Sequence, residues 1–249
     1  MAKIGIFDSG SGGLSVYREL VKLLPREQYF YYADNAHCPY GEKSPLYIQR
    51  RARFITEHFL DKGADIIVVA CNTATAAAIA TLRQEYPDVP FVGMEPAVKP
   101  AALGTETGVI GVLATAGTIK GSKYLNTRGL YESDVTIAEH VGQGFVELVE
   151  RGILDGPEAE STVEASLRPL LDQGADRIVL GCTHYPFLQP VIERLAGPGV
   201  QVIDPAPAVA RQTLRILQER GVALETGTHS ITLEASGNKE PLYRIFELL

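Results

Sequence analysis

The sequence lacks the features that define several large classes of protein. It has three cysteines in 249 residues, and no two form a C-x-x-C pair, so we predict neither a disulfide framework nor a zinc motif. Its apolar runs are short and fall well below the ~20 residues that cross a bilayer. The N-terminal segment lacks the basic and apolar parts of a secretory signal. We therefore expect a cytoplasmic protein without membrane association, in which reducing conditions keep thiols available for chemistry.

Basic runs are also missing. The formal net charge is -7 and the sequence pI is about 5.3, so we do not expect nucleic acid as a partner. Hydrophobic residues make up 45% and charged residues 21%, the balance of a globular protein. A small anionic ligand would then depend on local positive potential, which helix N-termini can supply.

Short apolar runs alternate with helical patterns in the first third of the chain. Strands are predicted at residues 3–7, 29–32 and 66–70, and helices at 14–24, 45–60 and 74–85. This alternation predicts an α/β fold with mainly parallel sheets.

The chain also repeats itself. Residues 63–71 (GADIIVVAC) and 174–182 (GADRIVLGC) match at six of nine positions. A second similar pair, residues 4–7 and 110–113, lies upstream at nearly the same offset. We therefore predict two pseudo-symmetric, doubly wound α/β domains. A ligand site is expected in the cleft between them, at the carboxyl ends of the strands.

Each long repeat ends in a cysteine at the end of a predicted strand. Cys71 begins the run CNTAT and Cys182 begins the run CTHYP. A nearby helix N-terminus favours a thiolate, and the imidazole of His184 could tune the second thiol. Two opposed acid/base groups can take a proton from one face of a carbon and return one to the other face. A structural role remains the alternative for each of these residues.

The glycine-rich run DSGSGG follows the first predicted strand. It does not fit the dinucleotide pattern, since Ser15 replaces the third glycine, and it lacks the lysine of a phosphate-binding loop. Asp8 is better suited to pair with a substrate ammonium group or with a thiol. Its alternative role is that of a turn or helix cap.

Weaker signals lie elsewhere. Thr115 and Thr118 lie after the first predicted strand of the second half. Their hydroxyl groups could bind a ligand or cap a helix. A metal site could combine four side chains, His37, Cys38, Cys71 and Cys182, but their spacing is not that of zinc ligands. No lysine motif indicates pyridoxal phosphate. We therefore expect neither a metal nor a cofactor.

Four ordered blocks resemble the landmarks of the glutamate racemases, in the aspartate/glutamate racemase superfamily. They are Asp8-Ser9-Gly10, Pro39-Tyr40-Gly41, Cys71-Asn72-Thr73-Ala74 and Gly181-Cys182-Thr183-His184-Tyr185-Pro186. The resemblance covers nearly the whole chain. It implies cofactor-independent interconversion of L- and D-glutamate by two cysteines, with D-glutamate supplied for peptidoglycan synthesis.

The resemblance also implies roles for individual residues. Cys71 and Cys182 would be the catalytic acid/base pair. The implied substrate-binding positions are Asp8, Ser9, Tyr40, Gly41, Asn72, Thr73, Thr183 and His184. Asp8, His184 and Glu150 would tune the thiols, although Glu150 could instead lie on a solvated helix face. Thr115 and Thr118 are predicted to be supporting residues from their position after the strand, and not from the resemblance. Ala33 and Cys38 depart from the usual pattern of the family beside the second block.

In this family the second half is inserted into the first. We therefore predict a discontinuous first domain, residues 1–97 with 205–249, and a second domain of residues 98–204. Pro96 and Pro100 mark one crossing, and Pro205 and Pro207 mark the other.

Three alternatives stay open on the sequence. One is a racemase of the same superfamily that acts on aspartate or another amino acid. A second is a non-catalytic, two-lobed protein that closes around an amino acid. A third is a nucleotide-binding enzyme, which the broken glycine motifs disfavour. A homodimer is compatible with the sequence, which does not set the oligomeric state.

Overall fold

The computed structural model describes residues 1–224 and 227–249; positions 225 and 226, within the predicted segment 205–249, lie outside the described residues. The strands are β1 (Lys3–Asp8), β2 (Gln28–Ala33), β3 (Ile66–Val69), β4 (Phe91–Gly93), β5 (Val109–Ala114), β6 (Thr136–Val141), β7 (Arg177–Gly181), β8 (Gln201–Ile203) and β9 (Ser230–Ala235).

The helices fill the connections between the strands. They are α1 (Leu14–Leu23), α2 (Pro45–Asp61), α3 (Asn72–Glu85), α4 (Val98–Gly104), α5 (Ala116–Ile119), α6 (Ser122–Gly129), α7 (Phe145–Glu150), α8 (Pro157–Leu171), α9 (Gln189–Ala196), α10 (Ala206–Glu219) and α11 (Glu240–Phe246). Short 3-10 helices span Asn35–His37, Tyr40–Glu42 and Tyr185–Leu188.

The strands form two sheets with equivalent topology. The first has the order β4-β3-β1-β2-β9 and the second the order β6-β5-β7-β8. Every described strand pair is parallel. Reversing the second order matches β8, β7, β5 and β6 to β4, β3, β1 and β2. The predicted α/β class and the internal repeat are therefore confirmed.

The six elements predicted in the first third are all present, with shifted ends. The largest shift is in α3, which begins at Asn72 and not at residue 74. The sulfur of Cys71 accepts a hydrogen bond from the backbone N–H of Ala74 at 3.4 Å and so caps the helix. The prediction was wrong there because it did not assign Cys71 the N-cap position, which oxygen side chains usually occupy.

Apolar burial holds each sheet between helices. All four residues of β3 are buried, as expected for a parallel strand covered on both faces. After β8, the chain continues into α10, which packs on α1, and then into β9, which pairs with β2 over its whole length. The return of this segment to the first sheet supports the predicted boundaries at residues 97 and 204, which remain a prediction. Within the described ranges, no helix combines the length and the apolar character needed to cross a membrane.

Gly5 in β1 gives a direct test of this packing. A side-chain carbon at Gly5 would lie 2.7 Å from the ring of Phe59, which is fully buried. We expect Gly5→Ala to lower the free energy of unfolding by about 1–3 kcal/mol, because the ring has little space to move. Gly129→Ala is the matched control, since a carbon there meets no atom within 4 Å. Urea unfolding should separate the two variants, and equal stabilities would contradict the packing described.

Candidate active site

The two cysteines lie at equivalent strand ends. Cys71 follows β3 by two residues, and Cys182 comes directly after β7. Each strand neighbours the first strand of its own sheet, β1 or β5. The two thiols are almost completely buried, with 5% of Cys71 and 7% of Cys182 exposed. The two thiols are close enough to interact, because a negative charge on Cys182 raises the pKa of Cys71.

Asp8 is the charged neighbour of Cys71. Burial raises the pKa of the Cys71 thiol well above its ordinary value, and the Asp8 carboxylate raises it further. Asp8 is itself fully buried at the end of β1. Without a compensating positive charge, this environment keeps Cys71 in its neutral thiol form.

Asp8 also connects the two halves of the chain. One carboxylate oxygen accepts hydrogen bonds from the backbone N–H groups of Gly10 at 3.3 Å and Gly13 at 3.1 Å. The other accepts a hydrogen bond from the Thr183 hydroxyl at 3.4 Å. Burial raises the pKa of Asp8, although the nearby charge of His184 opposes this change. Asp8 is therefore a neighbour of Cys71 and also contacts Thr183, the residue that follows Cys182.

His184 is the corresponding neighbour of Cys182. Its Nδ1 lies 3.8 Å from the Cys182 sulfur, and its Nε2 lies 2.7 Å from a carboxylate oxygen of Glu150. Burial disfavours the imidazolium, but Cys182 and Glu150 outweigh burial and raise the pKa of His184 well above its ordinary value. A positive charge is therefore held beside the second thiol, in contrast to the carboxylate beside Cys71.

Glu150 ends α7 and contacts the first half of the chain. Its carboxylate accepts hydrogen bonds from the Ser11 backbone N–H at 2.6 Å and from the Ser11 hydroxyl at 3.2 Å. Although burial opposes ionisation, His184 and Ser11 hold the pKa of Glu150 below its ordinary value. The structure thus places Glu150 against His184 and not on a solvated helix face.

The glycine-rich turn has a structural explanation that differs from phosphate binding. A side-chain carbon at Gly10 would overlap the Glu150 carboxylate, and one at Gly12 would overlap the His184 ring. Glycine at these positions therefore lets the turn after β1 pack directly against the Glu150–His184 pair.

The predicted hydroxyl groups also come together across the halves. Thr73 lies 2.8 Å from Thr115 and 3.4 Å from Thr118, measured between hydroxyl oxygens. The Thr115 hydroxyl also accepts a hydrogen bond from the backbone N–H of Thr118, so its cap role is present too. Asn72 is 3% exposed, and neither polar atom of its amide has a hydrogen-bond partner among the described residues. Such a group is costly to bury unless a ligand satisfies it.

The segment Pro39-Tyr40-Gly41 lies beside these threonines. The Tyr40 hydroxyl donates a hydrogen bond to Asp34 at 2.5 Å, so a substrate contact from this residue would come from its backbone. A side-chain carbon at Gly41 would lie 3.3 Å from the Cβ of Thr115. A cavity of about 420 Å³ opens here and is lined in part by Gly41, Thr73, Lys43 and Lys120. The two lysines place positively charged side chains at this cavity.

The four-residue metal set considered from the sequence does not assemble among the described residues. His37 turns instead toward Tyr47, with 2.5 Å between its Nδ1 and the hydroxyl oxygen. Cys38 lies 4.0 Å from Ser9, between the sulfur and the hydroxyl oxygen. Burial raises the pKa of the Cys38 thiol to about 12. Ser9, which is 5% exposed, is thus buried next to the third thiol.

Sequence reasoning missed three supporting polar groups. Ser11 holds Glu150, the Ser15 hydroxyl donates to the backbone oxygen of Thr183 at 3.0 Å, and the Tyr31 hydroxyl donates to the backbone oxygen of Gly10 at 2.9 Å. Ser15 left a detectable signal, because it is a serine on the buried face of an amphipathic helix.

Comparisons with known proteins show which proteins this chain resembles in sequence and in fold. The family described as Asp/Glu/Hydantoin racemase matches residues 4–213. A glutamate racemase from Ectopseudomonas mendocina is 47% identical over 248 residues, which covers 100% of this chain and 94% of the relative. The structure of a Bacillus anthracis glutamate racemase matches with a TM-score of 0.89 at 32% identity, covering 99% of this chain and 93% of that one. The Escherichia coli glutamate racemase, in complex with L-glutamate and the activator UDP-MurNAc-Ala, matches with a TM-score of 0.87 at 33% identity, covering 99% and 94%.

The Glu150–His184 pair predicts a pH-dependent stability. A raised pKa in the folded state makes His184 stabilising below about pH 6.5, and this contribution is lost as pH rises through the folded value. A lowered pKa makes Glu150 stabilising above about pH 4.5, and this contribution is lost as pH falls. We expect Glu150→Gln to lower the free energy of unfolding by about 1–3 kcal/mol near pH 6, and by clearly less near pH 10.

Urea unfolding at the two pH values measures this difference. Glu158→Gln is the matched control, because Glu158 forms an exposed ion pair with Arg151 on the surface. A loss of stability from Glu150→Gln that is the same at both pH values would contradict the charged pair.

Proposed function

The chain belongs to the glutamate racemases, within the Asp/Glu/hydantoin racemase family, and we propose that Cys71 and Cys182 are its opposed acid/base pair. It interconverts L- and D-glutamate without a cofactor and supplies D-glutamate for peptidoglycan. One observation carries the assignment of the two thiols. Each is buried at an equivalent strand end and has its own charged neighbour, a carboxylate for Cys71 and an imidazolium for Cys182.

The charge pattern suits proton transfer in both directions. One thiolate removes the α-proton from one face of glutamate, while the other thiol donates a proton to the opposite face. The site must change which sulfur is ionised between the two directions. Asp8 disfavours negative charge on Cys71, so a substrate ammonium group next to Asp8 would offset that effect when it binds.

The same geometry proposes positions for the rest of the substrate. Asn72 and Thr73 form the first turn of α3, where free backbone N–H groups and the helix dipole attract a carboxylate. The unsatisfied amide of Asn72 supports binding there. Thr183 donates to Asp8, so it would help to orient the ammonium group. Tyr40 and Gly41, with Ser9, would complete the binding surface through backbone and hydroxyl groups.

Charge stabilisation is the main requirement of this chemistry, because an amino acid α-proton is weakly acidic. The carbanionic transition state gains from fixed donors and charges in a site that excludes water. Glu150 and His184 would act as positioning residues for Cys182, and the bonded threonines Thr115 and Thr118 would hold Thr73. We propose a cytoplasmic location, which would keep both thiols reduced; a homodimer remains a prediction.

Cysteine substitutions test the acid/base assignment. We expect Cys71→Ser and Cys182→Ser each to lower kcat for racemisation of L-glutamate by about 10²–10⁴-fold or more, because each removes one of two required proton carriers. Circular dichroism of the reaction mixture follows the change in handedness. Cys38→Ser, which removes the third thiol, should keep the wild-type rate.

The substrate is tested in the same assay with L-aspartate. Turnover of L-aspartate but not of L-glutamate would contradict the substrate and keep the mechanism. Binding of glutamate without turnover in the folded wild-type protein would favour the two-lobed binding protein. Full activity in either catalytic variant would remove that cysteine from the mechanism.

Asn72→Leu should separate stability from function. It replaces a buried amide that has no partner in the described protein with an apolar group of similar size. We therefore expect the free energy of unfolding to stay equal or to rise by about 1–2 kcal/mol. We also expect kcat/KM for glutamate to fall by about 10-fold or more, since a carboxylate ligand is lost. Thermal unfolding and steady-state kinetics measure the two effects, and unchanged kinetics would contradict a substrate contact.

A further inference from the structure

Three metal-ligating side chains converge at the edge of the proposed active site. The sulfur of Cys38, a carboxylate oxygen of Glu150 and a ring nitrogen of His184 all lie within 4.8 Å of one another. They come from three separate parts of the chain: the loop after β2, the end of α7 and the loop after β7. The mechanism proposed above uses Glu150 and His184 for positioning but gives Cys38 no role.

The cluster can be reached from outside the substrate cleft. A second cavity, of about 330 Å³, is lined by Cys38 and Glu150 together with Asn35, Pro39, Val146 and Asn238. Its lining differs from that of the cavity beside Thr73 and Lys43. Cys38 and Glu150 are both partly exposed, whereas His184 is buried behind them. A small ion could therefore arrive at the cluster without passing between the two catalytic thiols.

We propose that Cys38, Glu150 and His184 form a binding site for Zn²⁺ that inhibits the enzyme. One sulfur, one imidazole nitrogen and one carboxylate oxygen are the donor types that Zn²⁺ accepts, and three protein ligands with one water complete its tetrahedral shell. Ligand atoms around zinc lie about 3.5 Å apart, given bonds of about 2.0–2.3 Å. Small side-chain rotations would bring the three atoms to that spacing.

Inhibition follows from the sharing of His184. Its Nε2 faces Glu150 and its Nδ1 faces Cys182. A zinc ion bound at Nε2 would take the place of the proton between His184 and Glu150. The Cys38 thiol would release its proton to solvent as its sulfur binds the metal, and Glu150, now a metal ligand, would no longer orient the ring by a hydrogen bond. The metal would hold the imidazole in the orientation that suits the metal, so His184 could no longer position Cys182 for proton transfer. This inhibition rests on the proposed function, whereas metal binding does not.

Cobalt tests binding without any use of activity. The chain has three cysteines, so the variant Cys71→Ala with Cys182→Ala keeps Cys38 as its single thiol. Titration with Co²⁺, a spectroscopic substitute for Zn²⁺, should give a thiolate-to-cobalt charge-transfer band in this double variant. The same band should be missing in Cys38→Ser and in Cys38→Ala, which keep both catalytic thiols. No band in the double variant, or a band that persists in both Cys38 variants, would overturn the site.

Zinc titration of racemisation tests the consequence. We expect the Zn²⁺ concentration that halves the wild-type rate to rise by about 10-fold or more in Cys38→Ser, because one of three ligands is lost. Equal sensitivity of the two proteins would place the inhibitory zinc on other groups and overturn the proposal. A wild-type protein that is inactive without zinc would instead contradict the proposed function, while the cobalt spectra would still report on the metal site.

Discussion

The hydrogen bonds between Glu150, His184 and Ser11 fix the second thiol relative to the first half of the chain. Glu150 and His184 belong to the second half, and Ser11 belongs to the turn after β1. If this contact were absent, two ionisable groups would be buried without partners, which is strongly unfavourable. Asp8 gives the reciprocal link, since it lies beside Cys71 and accepts a hydrogen bond from Thr183. The surroundings of each thiol are thus held by residues from both halves.

This exchange of contacts explains why the two thiols are not chemically equivalent despite equivalent positions in the fold. The strand ends match, but a carboxylate accompanies one sulfur and an imidazolium the other. Burial makes both neighbours more influential, because charges interact more strongly where water is excluded. A racemase that uses two thiols needs one of them as a thiolate and the other as a neutral thiol. Unequal surroundings allow the pair to hold one ionised and one neutral sulfur. In the proposed mechanism, the internal repeat would supply the two equivalent thiol positions, and the differences between its copies would supply their unequal charges.

The repeat itself could be predicted from the sequence, because the two copies share a buried strand that ends in cysteine. The strands and helices around Asp8, Cys71 and Cys182 could also be predicted, because the spacing of apolar residues and the ends of strands are local features of the sequence. The partners of these groups could not be predicted in this way. Ser11 contacts Glu150 across 139 positions of sequence, and the contact depends on the close approach allowed by Gly10 and Gly12, for which a glycine-rich turn gives no partner in the sequence. The sequence does not predict the start of α3, because cysteine is not among the residues preferred at the N-cap.

The stereochemical course of hydrogen exchange tests the two-thiol account most directly. L-Glutamate would be converted in deuterated water, and mass spectrometry with chiral separation would follow both enantiomers during the first turnovers. With two separate proton carriers, the D-glutamate formed should carry deuterium at the α-carbon, while the remaining L-glutamate keeps protium. D-Glutamate that retains the original protium would show one group transferring the same proton between the two faces, and would contradict the account.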